Sequence, residues 1–326
     1  MKKKMLLICP HFMGYDDKII KFAKKYYDIS YLDTEIKFYD IRKKYKSISY
    51  FKKAIFKLLK KSRSRYREDL LKDTENDIVS YLENNNNNDI ILVINGDALT
   101  DYSYKIMRKY NPKAQFILYI WDDVEALFKK SHFVFFDSIF AYNLDDCKKY
   151  SFEYLPMFTE KLQVANTEIK LYDIAIIASA NKKRIKTAKY LYNKYKNKWN
   201  FFIYFYSPEK NYDFFTYDKP LDYQSYLRIL GESKVIFEMV RNNQKGPTTR
   251  FYDALETKTK VITTNKNISK YPIYGDNIYI MNNRKIIPEE FMIKEFHEEN
   301  KKSLHIYTWF HSMISENNIG EDILGE

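Results

Sequence analysis

A chain of 326 residues, 45% of them hydrophobic and carrying a formal net charge of +12, is long enough for two domains with a core each, which excludes one small unit. The charge suits a partner dense in negative charge, such as nucleic acid, an anionic membrane surface or a phosphorylated small molecule; abundant Lys, Asn, Ile and Tyr, with a plain polar run from Asn84 to Asn88, explain it equally well as compositional bias. Two cysteines, Cys9 and Cys147, exclude a disulfide framework and a zinc cluster and fit a reducing cytoplasm.

The opening MKKKMLLICPHF starts basic, but its apolar run is too short for a signal-peptide core and stops at a proline, so it reads as a first buried strand, Met5–Cys9. Further strands are expected at Ile29–Leu32, Ile90–Ile94, Gln115–Ile120, Ser138–Ala141 and Glu153–Leu155. Helical patterns fall at Asp16–Tyr26, Tyr50–Lys61, Arg67–Asn84 and Ser103–Tyr110, the last stopped by Pro112. Within IRKKYKSISYFKKAIFKLLKKSRSRYRED, Phe51, Ile55, Leu58 and Leu59 share one helical face and lysines surround the rest. Such a helix faces a core with a solvated basic back, or lies on anionic lipid through residues 42–67. No stretch is long enough to span a bilayer.

A second set of strands is expected at Tyr172–Ala178, Phe201–Tyr206, Lys234–Val240, Lys260–Thr264 and Asn277–Met281, with helices at Lys182–Lys196, Asp222–Leu230 and Thr249–Lys258. Polar, weakly patterned Pro156–Lys170 is the candidate linker. The alternation is that of an α/β protein with two Rossmann-like, doubly wound domains facing a cleft, with boundaries at 1–160, 161–295 and a helical region at 296–326. In KYLYNKYKNKWNFFIYFY the aromatics read as core: Tyr190, Leu191 and Tyr195 on a helix face, FFIYFY as a strand buried on both sides.

Neither a GxGxxG fingerprint nor a GxxxxGK[ST] loop occurs, which removes support for a dinucleotide or Walker-type site. His11, His132, His297, His305 and His311 lack HExxH spacing, and no metal site is expected. In QKGPTTRFYDALETKTKVITTN, residues 244–265, a helix packs through Phe251, Ala254 and Leu255 while Arg250 and Asp253 share another side. Gly246 allows close approach of a ligand, Thr248 and Thr249 can cap the helix at its positive end, Arg250 offers a fork to phosphate, and Asp253 can accept from ribose hydroxyls. An ordinary capped helix with an Arg–Asp surface pair fits the same residues.

GPTTRFYDALETKTKVITTNKNISKYPIYGDNIYIM resembles the donor-side segment of bacterial polysaccharide and lipopolysaccharide-type glycosyltransferases of the GT-B architecture. PHFMGYDDKI, LYIWDD, FEYLPMF and YDIAIIASANKKRI resemble further parts of that pattern in order, so the likeness covers most of the chain. It implies a nucleotide-sugar donor in the second domain, a saccharide or lipid-linked glycan acceptor in the first, and a region around His305 to Ile314 crossing back to brace the first. It also implies no obligatory metal or other cofactor, no nucleic-acid partner, and a cytoplasmic enzyme of cell-surface polysaccharide synthesis at the inner face of the membrane. Lys183 and Arg184 would meet the diphosphate from one side, and Lys245, Gly246, Thr248, Thr249 and Arg250 from the other. Asp253 stands where the family has glutamate on the ribose. Asn265 would end its strand facing the cleft, or serve as a turn asparagine.

Inverting transfer needs a base for the acceptor hydroxyl. Asp122 is the first choice and His11 and Asp16 are further candidates; Asp97, Asp123 and Glu125 also follow strand ends. Two other readings stand beside this one: a metal-dependent, single-domain GT-A glycosyltransferase using Asp122 and Asp123, and a non-catalytic protein that binds polyanions through its basic surface.

Overall fold

Strands covered by helices on both faces need apolar side chains on both, and the runs MLLIC, IILVI and FILYI provide them. The computed structural model describes residues 2–34, 75–127, 130–160, 169–208, 210–240, 245–298 and 302–314. The chain divides into two units, Met1–Pro156 with Phe310–Glu326, and Met157–Trp309.

In the first unit β1 (Lys3–Cys9), β2 (Tyr27–Asp33), β3 (Ile90–Ile94), β4 (Gln115–Ile120), β5 (Ser138–Ala141) and β6 (Glu153–Tyr154) form one sheet in the order β2-β1-β3-β4-β5-β6. All its pairings are parallel. The winding reverses between β1 and β3. Helices α1 (Tyr15–Ala23), α2 (Glu75–Asn84), α3 (Asp101–Tyr110) and α4 (Leu144–Tyr150) belong to this unit. Leu6, Ile8, Ile91, Val93, Phe116 and Leu118 pack in one buried cluster with Ile78, Leu82 and Met107 from α2 and α3.

The second unit repeats the plan with β7 (Tyr172–Ser179), β8 (Phe201–Tyr206), β9 (Thr216–Tyr217), β10 (Ser233–Glu238), β11 (Lys260–Thr263) and β12 (Ile278–Ile280). Its order is β12-β11-β10-β7-β8-β9, again all parallel. Here the reversal lies between β7 and β10. The helices are α5 (Lys182–Tyr195), α6 (Tyr223–Gly231), α7 (Thr249–Glu256) and α8 (Glu289–Ile293); α9 (Ile306–Met313) contains the boundary between the units. Two doubly wound, Rossmann-like sheets are what the alternation of patterns leads one to expect.

Several details differ from the sequence reading. FFIYFY is half-buried and alternating, with Ile203 and Phe205 inside, because its neighbour β9 is a two-residue edge strand. Tyr204 stacks on Tyr217 with ring centroids 4.2 Å apart. On α5 the core face is Ile185, Ala188 and Leu191, while Tyr190 is exposed. The short elements α4, α8 and β9 have patterns too brief to read by period. Part of the expected linker is paired: the Thr159 amide donates to the Leu304 carbonyl and the Ile306 amide to that of Thr159, whereas residues 161–168 lie outside the described residues. Phe310 packs on Phe22 and Tyr27 in the first unit, and Trp309 on Phe158 in the second. The expected helix Tyr50–Lys61, the start of Arg67–Asn84 and the basic segment 42–67 also lie outside the described residues. Among the described residues no helix is long and apolar enough to cross a membrane.

The loops at the first reversal are built from left-handed pairs. Met13 and Gly14 after β1 have φ of 48° and 70°, and Asn95 and Gly96 after β3 have φ of 59° and 74°. At Gly96 a Cβ would stand 2.6 Å from the Tyr104 hydroxyl and 3.0 Å from the His132 ring, because that hydroxyl donates to the Gly96 carbonyl at 2.6 Å. Gly96→Ala combines strain at positive φ with this overlap and is expected to cost about 1–3 kcal/mol, seen as a lower melting temperature in calorimetry.

Candidate functional site

Ligands of doubly wound sheets bind beyond the carboxyl ends of the strands where the winding reverses. In the first unit this place is bounded by the loops after β1 and β3. His11 follows β1 and is well exposed, and its Nδ1 lies 2.9 Å from Oδ2 of Asp16, whose side chain is 1% exposed. A carboxylate only accepts, so Nδ1 carries the proton and Nε2 is left as the basic nitrogen. The Phe12 amide donates to Asp16 Oδ1 at 3.3 Å, and the Tyr31 hydroxyl to Oδ2 at 3.0 Å. The hydrogen bond and charge of Asp16 raise the His11 pKa above its ordinary value. His11, Asp16 and Asp17 offer ligand atoms within 4.8 Å of one another; His11 and Asp16 are held together by their own hydrogen bond.

After β4, Asp122 accepts from the Asn95 side chain at 2.8 Å, and Asn95 Oδ1 takes the Trp121 amide at 3.1 Å. Asn95 in turn offers its carbonyl to Nε2 of buried His132 at 2.9 Å. Asp122 is thus tied into the framework that holds the end of β3 against β4. Asp123 Oδ1 accepts from Tyr142 and Asn143 at 2.9 and 2.6 Å. The two sheets differ from the one sheet of the single-domain alternative, and Asp122 and Asp123 are engaged by different hydrogen-bond partners. Glu125 pairs with Lys149 and Lys130, which bring its carboxyl down to about 2, on the surface. Asp97 is 8% exposed.

In the second unit the reversal is lined by α5 and α7. Asn181 caps α5, its side chain accepting from the Arg184 amide at 2.9 Å. The Arg184 guanidinium then bridges the two strands that part, donating to the carbonyls of Ser179 at 3.1 Å and Met239 at 2.9 Å. From α7, Arg250 donates to the Ile177 carbonyl at 3.0 Å, and its buried Nε has no hydrogen-bond partner among the described residues. Lys183 and Lys245 are exposed, while Thr248, Thr249 and Arg250 are half-buried. The expected phosphate-side groups therefore fall on two neighbouring helix N-termini.

Other expected roles change. Thr248 occupies the cap position of α7 without a side-chain cap bond; its hydroxyl points to Glu238 Oε1 at 3.4 Å. Asp253 is 1% exposed and accepts from the Tyr223 hydroxyl at 2.8 Å, a buried setting in place of the expected exposed surface pair. Tyr252 and Asp253 are buried along with Phe251 and Ala254, because α7 is enclosed on more than its sheet face. Asn265, 2% exposed, donates to the carbonyls of Lys245 and Gly246 at 3.0 and 3.1 Å. It clasps the loop before α7 and does not face outward. Gly246 is buried and accepts that bond, so it shapes the loop as a partner of Asn265.

Glu238 was not singled out by sequence. It ends β10 fully buried, with Oε2 accepting from Thr263 at 2.5 Å. Burial raises its pKa, opposed by the charges of Arg250 and Arg184 and by the threonine hydroxyls. A lone acid inside the apolar run KVIFEMV is the signal that marks it. Tyr31 and Asn95 also gain roles that no local pattern announces.

No family model and no curated protein matches the chain. Among solved structures it is similar to Phytolacca americana UGT2 complexed with UDP-2fluoro-glucose and pterostilbene, at 10% identity over 90% of this chain and 88% of that one, with a TM-score of 0.41. It is also similar to the spinosyn forosaminyltransferase SpnP, at 11% identity over 79% and 72% of the two chains, with a TM-score of 0.37.

A carboxyl whose folded pKa lies above its unfolded value contributes stability that is full below the unfolded pKa and is lost as pH rises through the folded one. Glu238 is such a group, so the stability of the wild type relative to Glu238→Gln should decline as pH rises above the ordinary glutamate value of about 4.3, measured as melting temperature against pH for the two proteins.

Proposed function

We propose that the chain is a nucleotide-sugar-dependent glycosyltransferase of the GT-B type, inverting at the anomeric carbon and needing no obligatory metal. In this reading the second unit holds the donor, and the first holds a saccharide or lipid-linked glycan acceptor used in cell-surface polysaccharide synthesis. The observation that carries it is the contrast between the two reversals: an imidazole–carboxylate dyad ends β1 of one sheet, and two anchored arginines with two helix N-termini crown the other.

His11 displaces Asp122 as the preferred base. In glycosyl transfer an acceptor oxygen bonds to the anomeric carbon as the bond from that carbon to the diphosphate oxygen breaks; in this reading Nε2 of His11 takes the proton of an acceptor hydroxyl held by the first unit. The leaving diphosphate gains negative charge. Arg184, Arg250 and the N-termini of α5 and α7 supply the matching positive field, with Lys183 and Lys245 at the rim. Asp16 holds the imidazole in one tautomer and stabilises the imidazolium that forms.

In a thermal-shift screen in the presence of chelator, one of UDP-, GDP-, CMP- or dTDP-sugars is expected to raise the melting temperature, since ligand at about 100 times its Kd adds ~2.7 kcal/mol. Arg250→Ala should lose that shift; a folded variant with an unchanged shift removes Arg250 from the donor site.

Only neutral His11 is a base, so kcat/KM should rise with pH and level off above a midpoint higher than the ordinary histidine value of about 6.5. Asp16→Asn should move that midpoint down and slow transfer by roughly 100-fold. A midpoint that does not move in this variant would exclude the dyad from catalysis.

A further inference from the structure

Asp16 Oδ2 has two suitors. His11 Nδ1 reaches it at 2.9 Å from the loop after β1, and the Tyr31 hydroxyl reaches it at 3.0 Å from β2. That hydroxyl also lies 3.2 Å from the Cys9 carbonyl. It has one proton, and the nearer, charged acceptor draws it more strongly than the neutral carbonyl. Tyr31 is itself fixed: it pairs with Leu7 in the sheet, and Tyr81 of α2 donates to its carbonyl at 2.8 Å.

We infer that Tyr31 is a positioning residue that sets the proton affinity of His11 by sharing Asp16 Oδ2 with it. The Phe12 amide and Tyr31 hold both carboxylate oxygens in place, so His11 meets a carboxylate of fixed orientation. Part of that carboxylate's accepting capacity is already taken by Tyr31, which moderates its pull on the imidazolium. Among the described residues, the other titratable groups around the dyad are Asp17 on α1, Asp33 on β2, whose carboxylate accepts from the His11 amide at 3.0 Å, and the buried Cys9 thiol at the end of β1. Removing the Tyr31 hydroxyl leaves these in place and gives Oδ2 to His11 alone, which holds the ring proton more tightly.

That His11 is the base rests on the glycosyl-transfer reading; its titration does not. The test is an NMR pH titration of the His11 ring in the full chain. Tyr31→Phe should raise the midpoint by roughly half a unit, and Tyr31→Leu, a second hydroxyl-free variant, should do the same. Tyr81→Phe also loses a bond to Tyr31 but leaves Asp16 untouched; it should lower the melting temperature and leave the midpoint where it was. An unmoved midpoint in a folded Tyr31 variant, or an equal shift in Tyr81→Phe, overturns the inference even if glycosyl transfer is found. A shifted midpoint in a protein that transfers no sugar upholds it and sinks the functional reading instead.

Discussion

A parallel strand covered by helices on both faces has its side chains committed to the core along its length, and chemistry is left to the places where it ends. Both sheets obey this constraint. The central strands β1, β3 and β4 are buried almost throughout, and each hands on to a loop that carries polar groups: His11 and Asp16, Asn95 and Gly96, Asp122 and Asp123. Where the winding reverses, helices after neighbouring strands depart to opposite faces, and the strand ends are not covered by either. The left-handed pairs Met13–Gly14 and Asn95–Gly96 turn the chain sharply there.

The two reversals are then finished in opposite ways. In the first unit, carboxylates accept from donors on neighbouring strands and loops, and the His11 imidazole, engaged through Nδ1, is well exposed. In the second, Arg184 and Arg250 donate to strand and strand-end carbonyls, and buried Glu238 lies beside them. Arg184 bridging Ser179 and Met239 closes the gap between β7 and β10 and holds positive charge at the rim in the same act. A guanidinium, with its fan of donors, suits this double task better than an ammonium.

Much of the fold was legible because it depends on period and length. Central strands appear as apolar runs, and α3, α5 and α7 have stop or start residues where their patterns change. The edges were less legible: β9 and α8 are too short to show a period, and FFIYFY looks like a central strand until its two-residue neighbour is seen. At the strand ends, sequence pointed to loops that carry polar groups, since a polar residue just after a strand faces the same open end whichever fold detail follows. It could not apportion roles among residues of one chemical type. Asp16, Asp122 and Asp123 all follow strands, yet among the described contacts Asp16 is the one that meets an exposed imidazole. Asp253 and Asn265, both buried, are engaged by the Tyr223 hydroxyl and by the carbonyls of Lys245 and Gly246, partners that their local sequence does not reveal.

By itself, then, the order of apolar runs and amphipathic stretches determined two α/β units, and the residues after the runs determined which loops could act. Tertiary structure decided which of those residues face a partner. A hydrogen bond between Tyr31 and Asp16, or between Asn95 and Asp122, joins positions 15 and 27 residues apart. Such a pair forms only when the strands that carry it lie at a particular spacing and register, and local sequence contains no record of either.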